Sequence, residues 1–330
     1  MLPLIRASQV APFLQAAERI GIPTRRYLDR VRLPEVALQA PGRMIARHQL
    51  WQFADVIAQR EGVPGFGFEA AAIDPVGKLG AFGRQILAAP TLAVALSRLA
   101  RKIGDHSTHA HFRSVRVAGG VCVTRRDEGY LLDGSEVVEQ YILTLLVGIV
   151  RGAAPGWRPR RVWLRGSAGA WTIEHEALAE AQLRGECGLT GIEVPMALLA
   201  LPMRSRTRGV PAARELGSEV PRDFAGALRL ALTPLVGHVR LDLNVASDFA
   251  GVNPRTVRRR LISEGTTWRA LLDDLRLEYA RTRLADPDLR FVEIALELGY
   301  ADSAHFTRAF RRWTRVTPSQ FRNGLSVGRG

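Results

Sequence analysis

The sequence predicts two domains of different class. The first is α+β; the second is all-α, with two helix-turn-helix units joined by a linker helix. Three observations carry this expectation. A pattern of small residue, glycine, capping residue, apolar residue and arginine occurs twice near the C-terminus, in Asn244–Gly265 and again in Phe291–Arg312. An apolar stripe at helical spacing lies between the two copies. Upstream, helical stretches alternate with strand-like segments around Gly119-Gly120, as a mixed domain requires.

From the start of the chain, Ser8–Gly21 and Ala46–Glu61 carry helical spacing, and Thr91 opens a helix in "PTLAVALSRLARKIGD". "THAHFRSVRV" and "VCVTRRD" alternate on either side of Gly119-Gly120 and predict a hairpin. Gly134-Ser135-Glu136 leads into a strongly apolar helix that ends near Arg151; Val137–Val150 suits a core or an interface and is read as core, because such surfaces are rarely left exposed. "RRVWLRG" predicts a strand, Ile173–Leu183 a helix, "GIEVP" a short strand and "MALLALP" a last helical piece. The first domain is therefore placed at 1–203. Residues 204–222, with Arg204, Arg206, Arg208 and Arg214, read as a basic linker. The double unit follows at 223–324, and 325–330 reads as a disordered tail.

In the first unit Ser247 and Gly251 stand four apart, and in the second Ala295 and Gly299 do the same. The small residue allows two helices to cross closely, and the glycine supplies a left-handed turn. Asn253 caps the next helix, with Pro254 at its first position and Gly265 past its end. Val257 and Leu261 then share one face, with Arg255 and Arg259 opposite and Arg258 on the flank. In the second unit Asp302 is the cap. Phe306 and Phe310 point inward, while Ala304, Thr307 and Arg308 face outward or flank that face. His305, at the side, reads as structural or phosphate-facing rather than as a base reader. Between the units, Trp268, Leu271, Leu272, Leu275, Tyr279 and Ala280 mark one amphipathic helix, opposite Asp273, Asp274, Glu278 and Arg281. In a helix-turn-helix the second helix enters the DNA major groove, where arginines pair with guanine edges.

These motifs resemble a known family. From Phe224 to Arg322 the chain is similar to the AraC/XylS-type transcription regulators, through "NPRTVRRRLISEGTTWRALLDDLRLEYARTRL", "VEIALELGYADSAHFTRAFRRW" and "TPSQFR". The resemblance implies that Arg255, Arg258 and Arg259 read bases from the first unit, and Ser303, Ala304, Thr307 and Arg308 from the second. Two places depart from the family pattern. Arg315 stands where a glycine is usual before "TP", and must take a left-handed conformation. Ala246 and Ala250 are smaller than the leucine-like residues usual in the first unit.

Residues 10–203 resemble more diffusely the arabinose-binding-like effector domain of one branch of that family. The similar pieces are "AAERIGIPTRRYLDRVRLP", "GFGFEAA", "GKLGAFGRQILAAPTLAVAL" and "RPRRVWLRG". The resemblance implies a small-molecule effector and a homodimer. His109, His111, Tyr130 and Trp163 are the candidate effector-binding residues. Its partners would then be double-stranded promoter DNA and RNA polymerase, in the cytoplasm.

Composition agrees with a nucleic-acid partner without identifying one. The 330 residues carry a net charge of +14, and Lys78 and Lys102 are the only lysines. The stretch from Arg222 onward holds 18 arginines against 12 acids, or +6, which leaves +8 upstream. Such charge attracts nucleic acid non-specifically. Nothing points to catalysis, a cofactor or a metal. Cys122 and Cys187 are isolated, "GSAGA" lacks the G-x-S-x-G frame, and "GFGFEA" lacks the third glycine and the lysine of a phosphate loop. His109 and His111 would share a strand face, yet no cysteine or carboxylate set accompanies them. No export signal is expected, and the apolar run Tyr141–Val150 is too short to span a bilayer. Two rival readings remain: an enzyme fused to a DNA-binding module, and an architectural binder indifferent to sequence.

Overall fold

In the computed structural model, residues 2–127, 136–167, 175–204, 221 and 223–327 are described. They fall into two units, within Pro3–Val220 and within Pro221–Gly330. In the first, β1 (Leu4–Arg6) pairs antiparallel with β2 (Met44–Ala46), and α1 (Ala11–Arg19), α2 (Arg25–Arg30) and α3 (Glu35–Leu38) run between them. The helices α4 (Arg47–Arg60), α5 (Phe66–Ala71), α6 (Ala81–Leu87) and α7 (Leu92–Lys102) follow, the last with Thr91 as its N-cap. The predicted helix over Ser8–Gly21 is thus shorter than expected; its first residues form a 3-10 turn over Ala7–Gln9.

The hairpin forms as predicted, from β3 (Ala110–Val117) and β4 (Gly120–Asp127). Its loop is Ala118-Gly119, with Gly120 already paired in the strand. After α8 (Glu136–Arg151) come β5 (Arg161–Trp163), β6 (Gln182–Arg184), β7 (Thr190–Pro195) and the short α9 (Met196–Leu199). The sheet order is β3-β4-β7-β5-β6, antiparallel except for the parallel pair β5–β6. The expected helix over Ile173–Leu183 is corrected. Its described part is a run of turns from His175 followed by β6. Pairing with β5, including Leu183 opposite Val162, outweighs the helical spacing.

The α8 helix is the centre of this unit. It is apolar nearly all round because α4, α5, α7 and β7 pack on it. Val137, Tyr141, Leu143, Leu146 and Val150 are among its buried residues. The core expectation for Val137–Val150 holds. Two polar side chains on α8 are buried with their partners. Gln140 accepts from the Gly67 amide at 2.9 Å and donates to the Pro64 carbonyl at 2.6 Å. Glu139 accepts from the Arg165 amide at 2.6 Å and the Thr190 hydroxyl at 2.9 Å. Burial pushes the Glu139 carboxyl above its ordinary range, against those bonds. A Cβ on Gly67 would lie 2.1 Å from the Val137 carbonyl oxygen. Gly67 of "GFGFEA" therefore serves a close helix crossing.

The second unit is all helical: α10 (Phe224–Leu232), α11 (Leu243–Ala250), α12 (Pro254–Ser263), α13 (Trp268–Leu284), α14 (Phe291–Glu297), α15 (Ser303–Thr314) and α16 (Pro318–Val327). The predicted linker lies almost wholly outside the described residues, as does the end of the predicted tail. Among the described residues no helix is long and apolar enough to cross a membrane.

Candidate nucleic-acid interface

The duplicated sequence pattern becomes a duplicated hydrogen-bond pattern. After α11, Gly251 takes φ 62°, and the Val252 amide donates back to the Ser247 carbonyl at 3.1 Å. After α14, Gly299 takes φ 78°, and the Tyr300 amide donates to the Ala295 carbonyl at 2.9 Å. Each turn thus closes over its small residue, and both small residues are buried. Left-handed glycine and the six-to-one bond are the physical content of the motif. Ala246 and Ala250 are also fully buried, so the smaller residues of α11 are covered by their neighbours.

Caps then fix where each following helix begins. The Asn253 side chain accepts from the Thr256 amide at 2.8 Å. Asp302 accepts from the His305 amide at 2.7 Å and from the His305 ring at 2.9 Å. Those bonds, the backbone one first, hold the Asp302 carboxyl below its ordinary range. His305 is therefore engaged locally, in line with its structural reading.

Beyond the caps the two faces separate cleanly. Val257, Leu261, Phe306 and Phe310 are fully buried, while Arg255, Arg258, Arg259, Ala304 and Arg308 are exposed. Ser303 and Thr307 are half-buried, and the Thr307 hydroxyl donates to the Ser303 carbonyl at 2.8 Å. Arg255, Arg258, Arg259 and Arg308 form no ion pair among the described residues, whereas Arg229, Arg283, Arg290 and Arg312 each meet a carboxylate. Pairing and exposure thus sort the arginines of this unit into bracing and free groups.

Arg229, Arg283 and Arg312 brace α13, which packs on α10 at one unit and on α14, α15 and α16 at the other. Its 17 residues make it about 25 Å long at 1.5 Å per residue. Arg312 of α15 donates to Asp273 at 3.1 Å. Arg283 forks onto Glu297 at 2.6 and 2.9 Å, and the Tyr279 hydroxyl joins the same carboxylate at 3.1 Å. Arg322 holds the carbonyls of Leu284 and Leu289 at the loop between α13 and α14. No local sequence signal marks these contacts. The residues lie on different helices and carry no shared period.

The candidate effector residues are less well assembled. His109 sits before β3 at φ 63°, beside the Thr108 hydroxyl, so it does not share a strand face with His111. A left-handed residue interrupts the alternation on which that expectation rested. His111 is exposed, and Trp163 is half-buried at the end of β5. Both lie on the sheet face opposite Phe112, Val123, Val162 and Ile192, three strands across and two residues along, about 16 Å apart. Tyr130 lies outside the described residues. No group of histidine, cysteine and acidic residues suited to a metal ion occurs among the described residues. Burial pushes the Cys122 thiol up to about 11, opposite to the shift a nucleophilic cysteine needs.

Comparison with known proteins finds matches for both units. Residues 21–203 match the family model of the arabinose-binding domain of AraC transcription regulators, and residues 246–324 match a helix-turn-helix domain. The ornithine utilization regulator of Pseudomonas aeruginosa is 44% identical over 81 residues, 24% of this chain and 24% of that protein. The HTH-type transcriptional regulator VqsM of the same bacterium is 41% identical over 83 residues, 25% of this chain and 26% of that one. The matched region thus spans about a quarter of the length of these curated relatives. The crystal structure of the transcriptional regulator CdpR from Pseudomonas aeruginosa is 20% identical, covering 91% of this chain and 96% of that one, with a TM-score of 0.40.

Proposed function

Because this chain belongs to the AraC family of transcription regulators, we propose that it binds promoter DNA by sequence, inserting α12 and α15 into adjacent major grooves. One observation carries the reading. The two helices that follow the paired glycine turns both present exposed arginines, unpaired among the described residues, opposite a fully buried apolar face. Arg255, Arg258 and Arg259 take bases or phosphates from α12. Ser303, Ala304, Thr307 and Arg308 do so from α15, where Ala304 is suited to a thymine methyl. The α13 rod suits a separation near one DNA turn, about 34 Å.

The N-terminal unit binds a small effector, with His111 and Trp163 on one sheet face as starting points. Effector binding biases DNA occupancy through the linker or a dimer, with RNA polymerase as the downstream partner in the cytoplasm. Selecting bound duplexes from a random pool tests the DNA reading. A two-part consensus with half-sites about one helical turn apart supports it. Equal affinity for every duplex at fixed salt overturns it and leaves the architectural binder. Operator affinity measured across a panel of candidate effectors tests the coupling, which must be reciprocal.

A further inference from the structure

The separation of two recognition helices is a specificity device only if something stiff sets it. A rod alone does not suffice, because each unit can pivot on the rod at its own end. The relevant contacts are therefore those that tie each unit to α13.

On the second unit, beside the Arg312–Asp273 pair, one carboxylate gathers several donors of α13. Glu297, the last residue of α14, accepts from Arg283 Nε at 2.9 Å, Arg283 Nη2 at 2.6 Å and Tyr279 Oη at 3.1 Å. Three donors from α13 on one acceptor fix both distance and angle, as a forked guanidinium does. The Arg283 and Glu297 side chains are only 34% and 27% exposed, so water screens the pair less than it would a surface ion pair. Two residues beyond Glu297, Gly299 turns the chain into α15.

On the first unit the same tyrosine meets the backbone. Gly237 lies in the segment that leads into α11, at φ 84°. A Cβ built there would stand 2.2 Å from Tyr279 Oη. Glycine is needed on two counts, the left-handed backbone and the close approach. A cleft of about 190 Å³ opens between Val236–Leu241 and Leu296–Gly299, lined also by Leu272 and Arg276. The Tyr279 hydroxyl is thus flanked by the entry segment of one unit and the carboxylate of the other.

We propose that Tyr279 is the spacing gauge of the double unit. Its hydroxyl, held between Gly237 and Glu297, sets the separation at which α12 and α15 meet DNA. The inference rests on the two-groove reading above. Tyr279 is a positioning residue: it acts through the helices it aligns.

The test uses the full chain, its selected duplex, and that duplex with one base pair added or removed between the half-sites. One base pair shifts the second groove by about 3.4 Å and turns it off axis. The wild-type protein is expected to lose about a hundredfold in affinity on either altered duplex, comparable to a strongly mismatched site. Tyr279→Phe keeps the ring and loses the bond, and Glu297→Gln weakens the fork. Both are expected to bind the selected duplex within about tenfold of wild type, yet to lose tenfold or less on the altered spacings. Variants that weaken equally on all three duplexes, or match wild type throughout, overturn the gauge. A wild-type protein indifferent to spacing overturns the two-groove reading, and the gauge with it. Thermal melts of each variant confirm that the comparison is made on folded protein.

Discussion

Glu264 Oε1 lies 2.8 Å from the backbone nitrogen of Phe224, so the carboxylate just past the first candidate recognition helix caps the helix that opens the C-terminal unit. Its other oxygen takes the Ala225 amide, also at 2.8 Å, and the Arg260 guanidinium lies 5.2 Å from the Phe224 ring centre. The end of α12 therefore grips the start of α10 by charge, hydrogen bond and ring. Removing the carboxylate leaves two amides of α10 without their acceptor. Glu264→Ala is expected to cost about 1–2 kcal/mol in urea unfolding of this unit, as lost caps do. A loss under about 0.3 kcal/mol would show that water replaces the carboxylate.

Arg259 tests the outward face of α12. It is exposed and unpaired among the described residues, so truncation removes no native contact that supports the fold. Arg259→Ala is expected to leave the melting temperature unchanged and to cost about 1–3 kcal/mol on the selected duplex, with relaxed preference at one base pair. If affinity instead falls equally on all sequences and the salt slope drops by about one, Arg259 contacts a phosphate.

Arg315 offers a stabilising substitution. It ends α15 at φ 68°, where a side chain is strained and glycine is not. The Arg315 amide still donates to the Arg311 carbonyl at 2.9 Å, so the backbone geometry is set by the helix end. Arg315→Gly is expected to gain about 1 kcal/mol, read as a higher urea midpoint at unchanged slope. Arg315→Ala, which keeps the strain, should gain nothing.

The sequence made the C-terminal unit legible because its signals are local. A glycine at the turn, a cap and an apolar pair per helix each speak within a few residues, and Gly251, Asn253, Gly299 and Asp302 all take the conformations their types favour. Arg315 was legible for the same reason. Contacts between helices were not, because Glu264–Phe224 and Arg283–Glu297 join residues far apart in sequence. In the N-terminal unit, β6 competes with a helical pattern and wins through its parallel pairing with β5, a partner that spacing alone does not reveal. His109 misled because one left-handed residue breaks the alternation that would align it with His111.

His106 gives the N-terminal unit a measurable response to pH. It is buried, its ring stacked on Phe82 with centroids 4.1 Å apart. Burial lowers its pKa from 6.5 to about 4, helped by the nearby charges of Arg6 and Lys102. The fold thus prefers the neutral ring. As pH falls through 6.5 the unfolded chain gains a proton that the folded chain refuses, so stability drops until about pH 4 and then levels. The slope is at most about 1.4 kcal/mol per pH unit, and the whole loss at most about 3 kcal/mol. Glu139 works in the opposite sense. Its raised carboxyl favours the protonated form, so its contribution declines as pH rises above the ordinary carboxylate range. The wild-type curve mixes the two, and the difference between wild type and His106→Gln isolates the histidine. Urea unfolding at half-unit steps from pH 4 to pH 8 should show that difference grow in favour of wild type between pH 4 and pH 6.5 and stay flat above. A difference that does not change with pH would mean the imidazole is protonated alike in both states.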